Sequence, residues 1–318
     1  MKILIVDVPV VNNLQKLTET FFKGLAEDDR FEMITTEQVK KPFWDIPLGK
    51  YDAVVLPGVH SAKSSKPLKC PVLVRMPDPK PWRLCRPEFV DVARDLGVDG
   101  FWGIRSASWL RRQLPCLDEF SMHHIVPGMH RNLGVADTFA THGGRGKPLM
   151  LGCRVNIAPY RGRVMCAAHP STISLGHGSG YYGDDYSKKL LSHHAGVAAC
   201  EFIVDKYFEL PACGMLTFMW RTPTQPHTPT TIKTYTDKEG HLWLTEPGNG
   251  FDDLGFVDGE TCVVVEEHNY KDRLDEYAAA PNDPKWDKIA RQGQEFVLAT
   301  YGFEAQKAKL INTLEEMI

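Results

Sequence analysis

The first half of the chain alternates short apolar runs with segments in which apolar residues recur every three or four positions. The apolar runs predict strands over Ile3–Val8, Phe31–Ile34, Tyr51–Gly58, Pro71–Met76 and Val98–Ile104. The helical spacing predicts helices over Leu14–Leu25, Pro87–Leu96 and Ser106–Leu114, the last capped by Ser106. Continuous apolar strands between amphipathic helices are typical of a parallel sheet covered on both faces. Residues 1–130 are therefore predicted to form a Rossmann-like α/β domain.

The second half repeats this pattern after a polar, glycine-containing stretch that ends near residue 147. The predicted strands are Leu149–Gly152, Thr172–Leu175, Ala195–Cys200, Met215–Met219 and Thr261–Val265, and the predicted helices are Pro159–Ala168, Tyr186–Ser192 and one beginning near Asp205. A second Rossmann-like domain over residues 148–301 follows from this repetition. We expect an α/β fold with two such domains facing a cleft.

Two features depart from the simple alternation. Residues 231–236 and 241–245 alternate apolar and polar positions around Asp237–Gly240, which predicts a β-hairpin inserted into the second domain. Three helices are predicted at the end, near Asn269–Ala279, Pro284–Thr300 and Phe303–Met317. We treat residues 302–318 as a terminal helix that could pack back across the domain boundary.

Length and composition agree with two ordinary cores. The chain has 318 residues and is 43% hydrophobic, which exceeds what one core usually organises. No run approaches the roughly 18 apolar residues of a membrane helix, and the opening residues read as a buried strand rather than a signal peptide. The eight cysteines are dispersed without a Cys-x-x-Cys pair. We therefore expect reduced, buried thiols and a cytoplasmic protein with no membrane span.

The net charge of −3 conceals an asymmetry between the halves. Residues 1–150 carry 21 Lys and Arg against 17 Asp and Glu, whereas the remainder carries 16 against 23. Seven basic residues lie between Lys63 and Arg86, with Asp78 as the one acid in that segment. This cluster is either a solvated face or a surface that holds an anionic acceptor.

Two acids eight residues apart, Glu201 and Glu209, are the chemically most informative feature. They follow the apolar run 195–200, and we predict that Glu209 opens a short helix that Gly214 ends. Carboxylates at the carboxyl edge of a parallel sheet accept hydrogen bonds from ligand hydroxyls. This arrangement is typical of a site for a sugar nucleotide.

Several short motifs in residues 148–316 extend this interpretation. They are Gly152-Cys-Arg154 with Tyr160-Arg161, Tyr186–Leu191, Lys206–Gly214, Leu254–Glu260 and Ile289–Gly293. On these motifs the carboxyl-terminal half resembles the CgeB-type glycosyltransferases and their relatives in glycosyl transferases group 1, which have the GT-B architecture. The resemblance implies transfer of a sugar from a nucleoside-diphosphate sugar, used as co-substrate, to a hydroxyl acceptor. It implies neither a metal nor a further cofactor.

The resemblance also implies roles for the two acids. Glu209 would accept hydrogen bonds from the ribose of the donor, since a carboxylate can take two adjacent hydroxyls, and Glu201 would contact sugar hydroxyls. Their spacing favours a retaining enzyme. The alternative is structural, with Glu201 as a loop acid at a strand end and Glu209 as an acid near a helix terminus.

A diphosphate leaving group requires positive charge. Arg154 and Arg161 are the first candidates by resemblance, Arg163 and Lys206 are in reserve, and each could instead be a surface charge. Gly214 completes the donor-binding motif.

Asp78 is the candidate general base on the acceptor hydroxyl, because it follows a predicted strand and is flanked by prolines. A turn-forming role is the alternative. The acceptor is not identified by the sequence, and an anionic polymer such as a polysaccharide or DNA with a hydroxylated base is among the options. No His or Cys ligand set is evident, and His193-His194 is interpreted as a helix end rather than a metal site. A non-catalytic module that binds glycan or nucleic acid on the same scaffold is the rival hypothesis.

Overall fold

A computed structural model describes most of the chain and divides it into two compact units. The described residues are 1–7, 21–35, 48–56, 70–76, 87–127, 145–153, 161–176, 189–190, 192–200, 202–222, 233–236, 242–245 and 248–318. Unit 1 comprises Met1–Arg131 and Phe303–Ile318, and unit 2 comprises Asn132–Gly302.

Unit 1 is built on a six-stranded sheet in which every strand pair is parallel. Its strands are β1 (Ile3–Asp7), β2 (Phe31–Thr35), β3 (Ala53–Leu56), β4 (Val72–Arg75), β5 (Gly100–Gly103) and β6 (Ser121–His124). Their order across the sheet is β2-β1-β3-β4-β5-β6. Strands β3 and β5 are buried at every position, which explains their uninterrupted apolar sequences. Strand β6 was not predicted, because it is a half-buried edge strand with the polar sequence Ser-Met-His-His.

Two helices of unit 1 match the predicted pattern. They are α1 (Pro87–Asp95) and α2 (Ala107–Gln113). The predicted cap of α2 is confirmed, since the Ser106 hydroxyl accepts a hydrogen bond from the Trp109 amide at 3.2 Å. Residues 21–25 are helical, and the earlier part of the helix predicted over Leu14–Leu25 lies outside the described residues.

Unit 2 has a five-stranded parallel sheet and the predicted hairpin. Its strands are β7 (Leu149–Cys153), β8 (Ile173–Gly176), β9 (Ala195–Ala198), β10 (Leu216–Trp220), the hairpin strands β11 (Lys233–Thr236) and β12 (Leu242–Thr245), and β13 (Val263–Val265). The sheet order is β13-β10-β9-β7-β8, and β11 pairs with β12 in an antiparallel fashion. The predicted antiparallel pairing of these two strands is confirmed, and residues 237–241, predicted to connect them, lie outside the described residues. The helix predicted over 186–192 falls mostly outside the described residues.

Four described helices of unit 2 cover this sheet, and the last helix of the chain belongs to unit 1. They are α3 (Arg161–Ala168), α4 (Lys206–Ala212), α5 (Tyr270–Ala279), α6 (Pro284–Tyr301) and α7 (Phe303–Met317). The core of unit 2 places aromatic side chains of α5 and α6, Tyr277 and Trp286, against Phe218 of β10 and Val263 of β13.

The last helix belongs to the core of unit 1. Phe303, Leu310 and Leu314 of α7 are buried with residues of β1 and β3. The side chain of Gln306 is also buried and accepts a hydrogen bond from the Val126 amide at 2.7 Å. Unit 1 is therefore completed by a segment that follows unit 2 in the chain.

Candidate active site at the edge of the second sheet

The strand order of the second sheet reverses between β7 and β9. From β7 the chain moves to β8 on one side, whereas from β9 it moves through β10 to β13 on the other. All of these strands are parallel, so their carboxyl ends lie along one edge. Ligands of doubly wound sheets bind outside this edge at the point of reversal. The carboxyl ends of β7 and β9, at Cys153 and Ala198, therefore flank the candidate site.

Glu209 lies in the first turn of α4, which follows β9 directly from this edge. Only 7% of the residue is exposed, and its neighbours Tyr207 and Phe208 are fully buried. Burial, followed by the charge of Glu209, raises the pKa of the Cys213 thiol. The carboxylate is thus held in poorly solvated surroundings, where hydrogen bonds to a ligand are strengthened. The helix begins at Lys206, which confirms the predicted start near Asp205 and places Glu209 inside the first turn rather than at its opening.

Gly214 ends α4 in the left-handed conformation, with a φ of 71°. Its amide donates to the carbonyl of Pro211 at 2.8 Å, and the Met215 amide donates to the carbonyl of Leu210 at 3.2 Å. These two bonds form a Schellman motif, in which glycine is preferred because it has no Cβ. The motif accounts for Gly214 in backbone terms. A donor-binding role for Gly214 stays a prediction.

The first turn of α3 packs closely on the end of β10. A Cβ atom at Gly162 would lie 2.2 Å from the Trp220 indole, so only glycine allows the helix to approach this far. Arg163 on the same turn donates from Nε to the carbonyl of Ala199 at 3.1 Å. This places a guanidinium group directly at the carboxyl end of β9. Arg163, a reserve candidate by sequence, is therefore brought to the candidate site.

A buried polar network ties the ends of β9 and β10 together. Asn249 is fully buried, and its Nδ2 donates to the carbonyls of Cys200 at 3.2 Å and Trp220 at 2.8 Å. The hydroxyl of Tyr207 donates to the same Trp220 carbonyl at 2.7 Å. The two side chains therefore provide hydrogen-bond donors for the Trp220 carbonyl at the end of β10 and for the Cys200 carbonyl just beyond β9.

Arg221 follows β10 and is held by two carboxylates at the same edge. Its Nε lies 2.7 Å from Asp252 Oδ1, and its NH1 lies 3.4 Å from Glu266 Oε1. His268 adds a contact of 3.2 Å to the other oxygen of Glu266. Arg221 directly follows β10 and Glu266 directly follows β13, so the group joins the ends of these two strands.

A second polar cluster lies at the opposite, amino edge of the sheet. His194 is buried, with Nδ1 3.1 Å from the Tyr277 hydroxyl and Nε2 2.8 Å from Asp287 Oδ1. Arg145 donates to both oxygens of Asp287, at 2.8 and 2.9 Å. Partial burial opposes ionisation of Asp287, but the hydrogen bonds from Arg145 and His194 lower its pKa. His194 is thus a buried hydrogen-bonded residue at the start of β9.

The predicted site residues fall into two groups. Asp78, Arg154 and Glu201 lie outside the described residues, and for Arg161 only the backbone, at the start of α3, is described. Lys206, Glu209 and Gly214 all belong to α4 or its end. Arg154 and Glu201 follow β7 and β9, the two strands at the point of reversal, whereas Asp78 comes after β4 of the other sheet. The roles assigned to these residues stay predictions.

Sequence reasoning missed Tyr207, Asn249 and Arg221. Tyr207 was read only as part of the Lys206–Gly214 motif. The one local signal for Asn249 is its position between two glycines, Gly248 and Gly250, both with positive φ. That signal marks a special turn, but it does not identify the strands that the side chain joins.

Metal ligands and membrane helices can be assessed for the described part of the chain. There, no group of three or more His, Cys, Asp or Glu residues is arranged to hold a metal ion. No described helix is both long and apolar enough to cross a bilayer. The six cysteines whose side chains are described are free thiols. Metal independence stays a prediction.

Comparison with known proteins gives similarity of fold without similarity of sequence. No family model matches the chain, and no curated protein sequence matches it. Its structure is nevertheless similar over almost its whole length to several solved structures, glycosyltransferases among them.

Three of these structures illustrate the likeness. HepE of Anabaena, solved with UDP-glucose, is 12% identical, with a TM-score of 0.58 and coverage of 99% of this chain and 100% of HepE. A glycosyltransferase from Rickettsia africae is 11% identical, with a TM-score of 0.57 and coverage of 99% and 98%. An alpha-glucosyltransferase, solved with UDP-glucose and DNA containing an abasic site, is 10% identical, with a TM-score of 0.59 and coverage of 99% of both chains.

The likeness spans both units and shows the fold. This chain has two Rossmann-like α/β domains, as predicted from the repeated pattern, and shares the two-domain GT-B architecture. The narrower resemblance to CgeB-type enzymes stays a prediction.

Proposed function

We propose that this protein is a glycosyltransferase that moves a sugar from a nucleoside-diphosphate donor to a hydroxyl acceptor. The observation that carries the proposal is a buried acid, Glu209, on the helix that leaves the carboxyl edge of the second sheet beside its point of reversal. The overall likeness to glycosyltransferases that were solved with UDP-glucose supports the same conclusion.

The reaction needs groups that bind the donor and groups that stabilise the leaving diphosphate, and the chain offers candidates for both. The bond between the sugar and the diphosphate breaks and a bond to the acceptor oxygen forms, while the acceptor proton passes to the departing diphosphate in a retaining transfer or to Asp78 in an inverting one. Glu209 and Glu201 would bind hydroxyls of the donor, and Arg154, Arg161 or Lys206 would stabilise the diphosphate that leaves. Arg163 joins this set because it lies at the end of β9.

The stereochemistry, the metal independence and the acceptor class are proposed from sequence features. We propose a retaining, metal-independent transfer of a hexose or pentose. In a retaining enzyme Asp78 need not act as base, whereas inversion would require such a group. An anionic acceptor is favoured by the basic residues between Lys63 and Arg86. The likeness to an alpha-glucosyltransferase solved with DNA keeps hydroxylated-base DNA beside polysaccharide as a candidate.

The replacement Glu209→Gln tests the donor site. Gln keeps the size of the side chain but loses the charge and one of the two strong acceptor oxygens. Hydrogen bonds to a charged group contribute about 1.5–3 kcal/mol, so affinity for UDP or GDP should fall roughly tenfold to a hundredfold. Titration calorimetry measures this directly.

Glu295→Gln is the matched control, since it makes the same chemical change at an exposed position of α6. It should leave nucleotide affinity unchanged. Unaltered affinity in Glu209→Gln would exclude Glu209 from the donor site. Wild-type protein that binds nucleoside diphosphates but produces no transferred sugar in a mass-spectrometric screen of donors and acceptors would favour the binding-module alternative.

A further inference from the structure

The amide of Asn249 makes an unusually complete set of hydrogen bonds at the edge of the second sheet. Besides donating to the carbonyls of Cys200 and Trp220, it accepts from the amides of Thr222 at 3.2 Å and Phe251 at 3.3 Å. Only one orientation of the amide satisfies these partners, because carbonyls need the NH2 group and amides need the oxygen. The side chain therefore joins three separate segments with a defined geometry.

These hydrogen bonds replace backbone pairing that the sheet does not supply. Strand β9 ends at Ala198, so the carbonyl of Cys200 lies beyond its ladder. Cys200 is fully buried, and a buried carbonyl without a partner costs free energy. Asn249 provides that partner, and the Tyr207 hydroxyl lies 3.5 Å from the same oxygen. The path of the chain after β9 is thus set by side chains rather than by the sheet.

The segments that these hydrogen bonds fix are next to the candidate donor-binding residues in the chain. Cys200 directly precedes Glu201, and Trp220 directly precedes Arg221. Tyr207 belongs to α4, two residues before Glu209. The turn that begins at Phe251 carries Asp252, which binds Arg221.

We propose that Asn249 and Tyr207 are positioning residues of the donor site. They hold the ends of β9 and β10 at a fixed separation. This inference rests on the proposed function, because it assigns the network to the donor. Neither side chain is required to touch the donor itself.

The test compares two replacements that each remove one buried hydroxyl. Tyr207→Phe breaks the bond to the Trp220 carbonyl and the longer contacts of the same hydroxyl with Asn249 and Cys200, and Tyr277→Phe breaks the contact with His194 at the opposite edge. Both tyrosines are fully buried in unit 2, so their general effects on stability should be similar. We choose them because Asn249→Ala removes several bonds at once and could prevent folding.

Two readouts are measured on the full chain. In calorimetry with UDP and GDP, Tyr207→Phe should weaken the affinity about threefold to tenfold, the size of one hydrogen bond, while Tyr277→Phe leaves it unchanged. In hydrogen-exchange mass spectrometry, peptides covering residues 199–203 and 220–222 should exchange faster in Tyr207→Phe than in Tyr277→Phe. Equal affinities in wild type and Tyr207→Phe overturn the positioning role.

The exchange readout separates this inference from the proposed function. If the wild-type protein binds neither nucleotide, the donor assignment and with it the donor role of Asn249 and Tyr207 are wrong, whatever the exchange shows. If nucleotide binds and exchange is the same in both variants, the proposed function stands and the positioning role is rejected. If Tyr207→Phe alone loses affinity and also exchanges faster at residues 199–203 and 220–222, the proposed function and the positioning role are both supported.

Discussion

Single buried polar side chains hold the segments that strands and helices leave without backbone partners. Asn249 does this at the edge of the second sheet, and Gln306 does it in unit 1 by accepting from the Val126 amide. Replacing such a group leaves a buried backbone partner unsatisfied, which costs about 1–3 kcal/mol. Stability of these edges therefore depends on few residues.

Asp28 in unit 1 should make the free energy of unfolding depend on pH in the acidic range. Hydrogen bonds from Arg30 and then from Lys307 hold its pKa well below the usual value for aspartate. A lowered folded-state pKa stabilises the protein above the unfolded value of about 3.9, and this contribution is lost as pH falls below that value. Replacing Asp28 with Asn should cost roughly 1 kcal/mol at pH 7, because partial exposure screens the pairs.

Urea denaturation at pH 7 and pH 3 measures this effect. The difference between wild type and Asp28→Asn should shrink at pH 3, where the unfolded aspartate becomes protonated. Asp29→Asn is the control, because that exposed carboxylate forms no ion pair with a described residue. The pKa argument fails if the two variants respond to pH alike.

At the residue scale, a hydrogen bond could be predicted from the sequence only when its two partners lie close together along the chain. The cap of α2 was predictable, since Ser106 and Trp109 are three residues apart. The network of Asn249 was not, because its partners Cys200 and Trp220 lie 49 and 29 residues away. Residue type alone marks Asn249 as a turn former.

At the scale of elements, helix α4 is fixed at both ends. The Tyr207 hydroxyl of its first turn donates to the Trp220 carbonyl at the end of β10, and its last carbonyls are satisfied by the Schellman motif at Gly214. Gln294 of α6 also donates to the carbonyl of Ala212 at 3.0 Å. A short helix held in this way can present Glu209 rigidly.

Gly214→Ala should therefore affect both stability and the donor site. Alanine at a φ of 71° costs about 1 kcal/mol, which urea denaturation can measure. Gly259→Ala is the matched control, because Gly259 has a φ of 73° and an added Cβ would meet no atom within 4 Å. We expect similar losses of stability, but weaker UDP or GDP affinity for Gly214→Ala alone. If both variants retain wild-type affinity, Gly214 serves the fold and not the donor.

Most strands and helices could be predicted from the sequence, because buried parallel strands need continuous apolar runs. Helices α5 to α7 were predicted within a residue or two at each end. Strand β6 was missed because a half-buried edge strand tolerates polar residues. The predicted helix start near Asp205 is confirmed, since α4 begins at Lys206, whereas the prediction that Glu209 opens the helix was wrong.

At the scale of the whole molecule, the order of strands across a sheet carries the functional information. The reversal between β7 and β9 locates the candidate site, yet a sequence gives only the order along the chain. The same limit applies to α7, whose apolar spacing shows a buried face but not which core receives it. Long-range packing decides both.

Because α7 belongs to the core of unit 1, its removal is the change from which we expect the largest loss of stability. Deleting residues 303–318 removes Phe303, Leu310, Ile311 and Leu314 from the core and leaves the Val126 amide without its partner. Each large apolar side chain contributes about 1.5–3 kcal/mol, and a domain has only about 5–15 kcal/mol in total. Unit 1 should therefore unfold at a much lower temperature, or fail to fold.

Unit 2 should respond differently, because its core contains none of the deleted residues. Scanning calorimetry of the truncated chain should show one transition retained and the other lost or strongly lowered. UDP or GDP should still stabilise the retained transition, since all the described candidate donor residues belong to unit 2. Glu315→Ala, which alters an exposed residue of α7, is the control and should melt like the wild type. Loss of both transitions on truncation would mean that the two units do not fold independently.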